Sequence, residues 1–190
     1  MTSAASARLM TTDELLAMPD DGFDRWLVDG ELREQPMTKR NRLHSRILAR
    51  ICQLLYAWSD SQPPPRGEVV AGEAGFRLKR NPDTTCGIDV AYVSAELIKA
   101  QAANARIIEG TPVLAVEILS PSEKLENIDE KIDLYRSTGV KLVWIVDIHD
   151  ETVLVYRPEQ KKPRFFDTDQ VIEGEPFLPG LRIPVARIFE

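Results

Sequence analysis

The sequence predicts an α/β domain: a mixed β-sheet core flanked by helices, with an N-terminal hairpin and a β-rich C-terminal tail. Three observations carry this reading. Residues 111–147 run as an apolar stretch, a Ser-Pro-Ser break, an amphipathic helix, a glycine and a second apolar stretch, the pattern of a β-α-β unit with parallel strands. Asp29-Gly30 separates two strand-like runs, 25–28 and 32–35, and suits a type I′ turn in which both central residues take positive φ. Further strand-like runs at 153–156, 164–167 and 181–189 make the tail.

The elements follow in order. Residues 1–10 read as a flexible tail ahead of one domain over 11–190. Thr11 and Glu14 have capping-box spacing for a short first helix, ended by Met18-Pro19-Asp20. Leu43, Ile47, Leu48, Ile51, Leu54, Leu55 and Trp58 form one apolar stripe, which predicts a helix over 38–58 whose first half is basic through Lys39, Arg40, Arg42, Arg46 and Arg50. The three consecutive prolines at 63–65 force a loop. Residues 68–71 and 74–78 read as two strands and 88–93 as a third, followed by a helix over 95–102 with Ser94 as its N-cap.

Composition bounds the function. The chain has 190 residues, 43% of them hydrophobic, enough for a core that needs no staples. Its formal net charge of −6 repels polyanions in general, so a nucleic-acid site needs a local basic patch. Cys52 and Cys86 form no metal-ligating or redox pattern, which points to free thiols in a reducing compartment. The apolar runs fall well short of the roughly 20 residues that span a bilayer, and no charged-then-apolar leader opens the chain. A cytoplasmic protein with no membrane association is expected.

Carboxylates beside strands carry the chemistry. Glu117 interrupts the apolar run Leu114-Ala115-Val116-Glu117-Ile118-Leu119, where a carboxylate needs a cation, a donor set or an open strand end. Asp89 lies in Ile88-Asp89-Val90, and Glu31 directly follows the Asp-Gly turn. Each has a plain structural alternative: a salt-bridged strand residue, a turn cap, a hairpin residue. Two carboxylates on adjacent strands suffice for Mg²⁺, which binds through one or two protein oxygens, waters and substrate phosphate. A lysine would complete a phosphodiesterase site. Lys131 fits, because it edges the helical face of Leu125, Ile128, Ile132 and Tyr135 and its stem can run along apolar surface to the strand end. Lys124, seven residues earlier, is the second candidate. Tyr135 reads mainly as core, and His44 as a helix-surface or interface histidine; each has site support as its functional alternative.

At these residues the chain resembles the putative restriction endonuclease family, long filed as a domain of unknown function, within the PD-(D/E)XK nuclease superfamily. The resemblance runs through 14–20, Leu27-Val28-Asp29-Gly30-Glu31-Leu32, His44, Gly72-Glu73-Ala74-Gly75-Phe76, residues 88–93, Ala115-Val116-Glu117-Ile118-Leu119-Ser120-Pro121-Ser122, Lys131, Tyr135, Gly139-Val140, residues 143–147 and Leu178-Pro179-Gly180. It implies a restriction-endonuclease-like fold and Mg²⁺-dependent endonucleolytic hydrolysis of DNA, with Mn²⁺ as a substitute. Asp89 and Glu117 would be the metal ligands, Lys131 the catalytic lysine and Glu31 the early supporting glutamate; a homodimer is implied as well. Two departures stand out. The superfamily's Pro-Asp is Ile88-Asp89, and its Glu-x-Lys is Glu117-Ile118-Leu119, with the lysine shifted to the following helix. The alternative expectation is a nuclease-like fold that no longer cleaves and acts as a binding or assembly module.

Overall fold

The computed structural model describes residues 8–37, 42–119 and 125–190. Helix α1 (Thr12–Leu16) starts at the capping box the spacing predicts: Thr11 Oγ1 accepts the Glu14 amide, and the Glu14 carboxylate accepts the Thr11 amide. Strands β1 (Phe23–Val28) and β2 (Glu31–Pro36) pair antiparallel around Asp29 and Gly30, whose φ values of 49° and 80° are those of the type I′ turn. Helix α2 (Arg42–Ser61) buries His44, Ile47, Ile51 and Leu55 along one stripe. Its predicted start at 38–41 lies outside the described residues.

Strand β3 (Glu68–Lys79) and strand β4 (Thr84–Val93) form a long hairpin. Two separate strands are expected over 68–78, and the structure corrects this to one strand with a β-bulge. Gly72 and Glu73, both at positive φ (85° and 61°), lie between Ala71 and Ala74, while only Asp89 lies between their partners Val90 and Ile88. The extra residue bends the strand without ending it. Helix α3 (Ala95–Lys99) is capped by Ser94 and ends before the predicted 102.

The central unit is the β-α-β motif the sequence predicts. After the short β5 (Ile108–Glu109), strand β6 (Leu114–Ile118) leads to helix α4 (Leu125–Thr138), and β7 (Leu142–Asp147) returns parallel to β6. Strands β8 (Thr152–Tyr156) and β9 (Arg164–Phe166) extend the sheet antiparallel, and β10 (Val171–Glu173) pairs with β11 (Arg182–Pro184) in a second small sheet. The end of the tail departs from the expected strand over 181–189. Pro184 has no N–H to continue a ladder, and the chain turns into helix α5 (Ala186–Phe189), which buries Ile188 and Phe189.

Among the described residues the main sheet has nine strands, in the order β2-β1-β4-β6-β7-β8-β9, with β3 also paired to β4 and β5 to β3. Side chains alternate between its faces. Val116, Ile118, Trp144 and Val146 pack in one cluster with Ile47, Ile51 and Leu55 of α2 and with the tail. Ala115, Val143 and Ile145 pack in the other with Ile128, Ile132 and Tyr135 of α4. On this alternation Glu117 belongs to the α4 side.

Candidate active site

Strand β4 divides one edge between two partners: Thr85 pairs with Leu27 of β1, and residues 90–92 pair with residues 114–116 of β6. At Asp89 the ladder with β6 stops. One further step in the same register would set Asp89 opposite Glu117. Instead the side chain of Asp89 enters the gap, and its Oδ2 accepts the amide of Ile118 at 2.9 Å. A carboxylate thus takes the acceptor's place that a strand carbonyl would hold. His44 Nε2, reaching over from α2, lies 3.3 Å from the same oxygen. The expectation of a helix-surface or interface histidine is therefore corrected, since His44 is buried against Asp89.

Glu117 is held from the other side. Lys131 Nζ donates to its Oε2 at 2.6 Å and Tyr135 Oη to its Oε1 at 2.5 Å. Lys131 and Tyr135 are four residues apart, one helical turn, so both reach the same carboxylate from α4. Ile128, Ile132 and Tyr135 seat that helix on the sheet, and the Lys131 side chain beside them is itself mostly buried. Tyr135 is both fully buried core and a donor to Glu117.

The remaining expected residues fall elsewhere. Glu31 is exposed on β2, and its carboxylate pairs with Arg33 at 3.0 Å; Arg33 in turn binds Glu130 of α4 at 3.1 Å. The described contacts do not bring Glu31 to Asp89 or Glu117. Lys124 lies outside the described residues. The basic first half of α2 is partly spent on the chain itself: Arg46 donates to the carbonyl of Phe189 at 2.9 Å and Arg50 to that of Glu190 at 3.2 Å.

Glu73 is the residue that sequence reasoning missed. It occupies the β3 bulge opposite Asp89, and its Oε2 lies 2.3 Å from where a Cβ on Gly87 would stand. The available signal was glycine inside a strand-like run, Gly72 and Gly75, which marks bulges as well as turns.

Electrostatics follow from burial. Asp89 and Glu117 are each 4% exposed. Burial pushes the Glu117 carboxyl up to about 7; Lys131 opposes this, while the charges of Asp89 and Glu73 add to it. Repulsion from the neighbouring carboxylates adds to the raised proton affinity, but desolvation is the larger cause. Burial also pushes the Cys86 thiol up to about 12 and raises Tyr135 well above the usual phenol range. Tyr135 stays protonated as a donor, and Cys86, its Sγ 4.0 Å from Tyr135 Oη, stays an unreactive thiol.

The donors fit a hard divalent cation. Carboxylate oxygens are what Mg²⁺ takes, and one or two from the protein suffice when water and substrate supply the rest. Among the described residues no three His, Cys, Asp or Glu side chains could hold an ion by themselves. Water and substrate oxygens would have to complete the coordination.

A large mixed sheet flanked by helices, with carboxylates and a lysine gathered at a strand fork, is a nuclease-like architecture. The structure superimposes on the crystal structure of a protein from Anabaena variabilis, described as a putative nuclease belonging to DUF820, with a TM-score of 0.77 at 23% identity, covering 95% of this chain and 97% of that one. Residues 12–186 match the family described as putative restriction endonuclease (Uma2), and the chain belongs to that family. No curated protein matches the chain.

Proposed function

We propose that the protein is a divalent-metal-dependent endonuclease that hydrolyses phosphodiester bonds of DNA. The observation that supports this reading is that, at the fork of the sheet, Asp89 of β4 accepts the amide next to Glu117 of β6 while Lys131 of α4 donates to Glu117 itself. Asp89 and Glu117 would hold Mg²⁺, or Mn²⁺ in its place. When bound, such a cation lowers the pKa of a water and polarises a phosphoryl oxygen.

The protein's own groups then have distinct tasks. The Ile118 amide and His44 fix the orientation of Asp89. Tyr135 fixes one oxygen of Glu117 and keeps its own proton. Lys131 would orient the attacking water or screen the charge that builds on the phosphate. Support from Glu31 would be indirect, through Arg33 and Glu130 to the turn of α4 that carries Lys131. A chain with net charge −6 meets DNA through that lysine and bound cations rather than through a general basic field. Homodimerisation belongs to the same proposal and is read by sedimentation equilibrium.

The first experiment is thermal unfolding against Mg²⁺ and Mn²⁺ for wild type and for Asp89→Ala combined with Glu117→Ala. A ligand that binds only the folded state adds about 2.7 kcal/mol at a hundredfold excess over Kd. A metal-dependent rise in wild type, absent from the double variant, is expected, followed by cleavage of DNA that Lys131→Ala abolishes. Metal binding without cleavage of any DNA would instead identify an inactive binding or assembly module, a reading supported by the prior engagement of both Glu117 oxygens by Lys131 and Tyr135. No rise in either protein would sink the metal site.

A further inference from the structure

Helix α2 has a second face that its core packing does not use. Arg42, Arg46 and Arg50 follow one another at four-residue intervals and so form one stripe, turned away from His44 and from the buried Ile47, Ile51 and Leu55. From Arg42 to Ser59 the helix carries no acidic residue. Ser45 and Ala49, exposed beside the arginines, are small and leave the stripe open.

What these arginines touch sets them apart from the cations on the rest of the surface. Arg25, Arg33, Arg77, Lys79, Arg80 and Arg182 all pair with carboxylates. Arg46 donates instead to the main-chain carbonyl of Phe189, and Arg50 to the Gln53 side chain and the main chain of Glu190. Arg42 makes no hydrogen bond or ion pair among the described residues. A carbonyl is neutral, and a guanidinium has five N–H donors, so Arg42 and Arg46 keep their charge and most of their donors for a ligand. They do so in a chain of net charge −6.

The stripe begins next to the candidate active site, because His44, in the same turn, lies 3.3 Å from Asp89 Oδ2. A helix with its side chains is about 10–12 Å across, so its outer face stands roughly three nucleotides from the fork along one B-form strand, at about 3.4 Å of axis each. That distance suits backbone flanking a reacting bond rather than the bond itself, where Lys131 stands. A lipid surface is the other polyanion that basic helices meet, but such helices insert an apolar face. The apolar face of α2 is spent, since Ile47, Ile51 and Leu55 are fully buried in the core.

We propose that the Arg42–Arg46 face of α2 docks the phosphate backbone of DNA that flanks the cleaved bond, with Arg50 at the far end of the strip. The flanking position rests on the nuclease reading above; the binding of phosphates does not. Contacts of this kind fix the position of the strand and carry no base preference.

The test is the anisotropy of a labelled duplex of about 20 base pairs, and of its single strand, titrated with the full chain in EDTA at several salt concentrations. Each phosphate contact contributes about −0.9 to the slope of log affinity against log salt for duplex DNA. Arg42→Gln with Arg46→Gln should make the slope shallower by about 2 and weaken binding about tenfold. Arg80→Gln with Arg182→Gln removes two positive charges elsewhere and should leave the slope unchanged. Arg42→Lys with Arg46→Lys keeps both charges and should retain the wild-type slope, which separates a phosphate contact from support of the tail through Phe189. Equal effects of the two Gln pairs, a Lys pair as weak as the Gln pair, or a wild type that binds neither DNA overturns the proposal. Binding to phosphatidylserine vesicles in place of DNA overturns it in favour of a lipid surface.

Loss of slope on both DNA forms assigns the backbone alone as the partner, and loss on one form assigns that form. Asp89→Asn with Glu117→Gln should leave the slope of wild type intact. Failure of the metal site would thus sink the nuclease reading and leave this surface standing, whereas a working metal site with no effect of the arginine pair would do the reverse.

Discussion

Asp89 Oδ2 accepts the backbone amide of Ile118 at 2.9 Å, so a side chain of β4 completes the hydrogen bonding of β6 where their ladder ends. The same carboxylate is a proposed metal ligand. Structure and chemistry therefore share one group, and two substitutions should separate them.

Asp89→Ala leaves a buried amide without its acceptor and should cost about 1–3 kcal/mol in urea unfolding. Asp89→Asn keeps an acceptor oxygen, so it should retain most of that stability while losing the metal-dependent thermal rise. Equal losses in both variants would contradict the acceptor role.

Lys131→Met removes the cation beside a buried carboxylate. At pH 8, where Glu117 is ionised, breaking this pair should destabilise the fold by about 3–5 kcal/mol. At pH 5 Glu117 is protonated and the loss should shrink to about 1 kcal/mol, that of a hydrogen bond. Unfolding curves at the two pH values decide it; a penalty independent of pH would mean the ion pair is not what the lysine supplies.

Glu117 has a sign opposite to most carboxylates. Its folded pKa of about 7 lies above the ordinary 4.5, so the folded state binds the proton more tightly. The resulting stabilisation is fully present below pH 4.5, is lost as pH rises toward 7, and amounts to about 3 kcal/mol. Measured as wild type minus Glu117→Gln, which cancels the other titrating groups, stability should fall by about that amount from pH 4.5 to pH 8. A flat difference would show that Glu117 is solvated.

The same proton would compete with the proposed metal. Between pH 5 and 7 the affinity for Mn²⁺ should rise close to tenfold per pH unit, then level off above pH 7. Isothermal titration across this range tests the linkage, and an affinity constant from pH 5 to 8 would argue against coordination by Glu117.

Tyr135→Phe deletes the donor to Glu117 Oε1 within an otherwise unchanged packing shape. Loss of a hydrogen bond to a charged group should cost about 1.5–3 kcal/mol at pH 8 and less at pH 5. Its metal-dependent thermal rise should persist, because both proposed ligands remain.

The sequence by itself determined what depends on near neighbours. Local periodicity was enough for α2, the β6-α4-β7 unit, the Asp29-Gly30 turn and the α1 cap, because each is set by side chains within a turn or two or by alternation along a strand. It was also enough to mark Glu117 as a charge in an apolar run and to place Lys131 and Tyr135 one turn apart on the helix behind it. What only the tertiary structure decided involves strands far apart in sequence. The β3 bulge separates what the sequence reads as two strands, since glycine with positive φ serves both a break and a bulge and only the pairing with β4 tells them apart. Glu73 was missed for the same reason, as its place opposite Asp89 is a matter of register. His44 and Asp89 meet, and Glu31 turns to Arg33, according to how α2 and the first hairpin dock on the sheet. Such docking is driven by non-directional burial of apolar surface spread over the whole core, and no short window of sequence carries it.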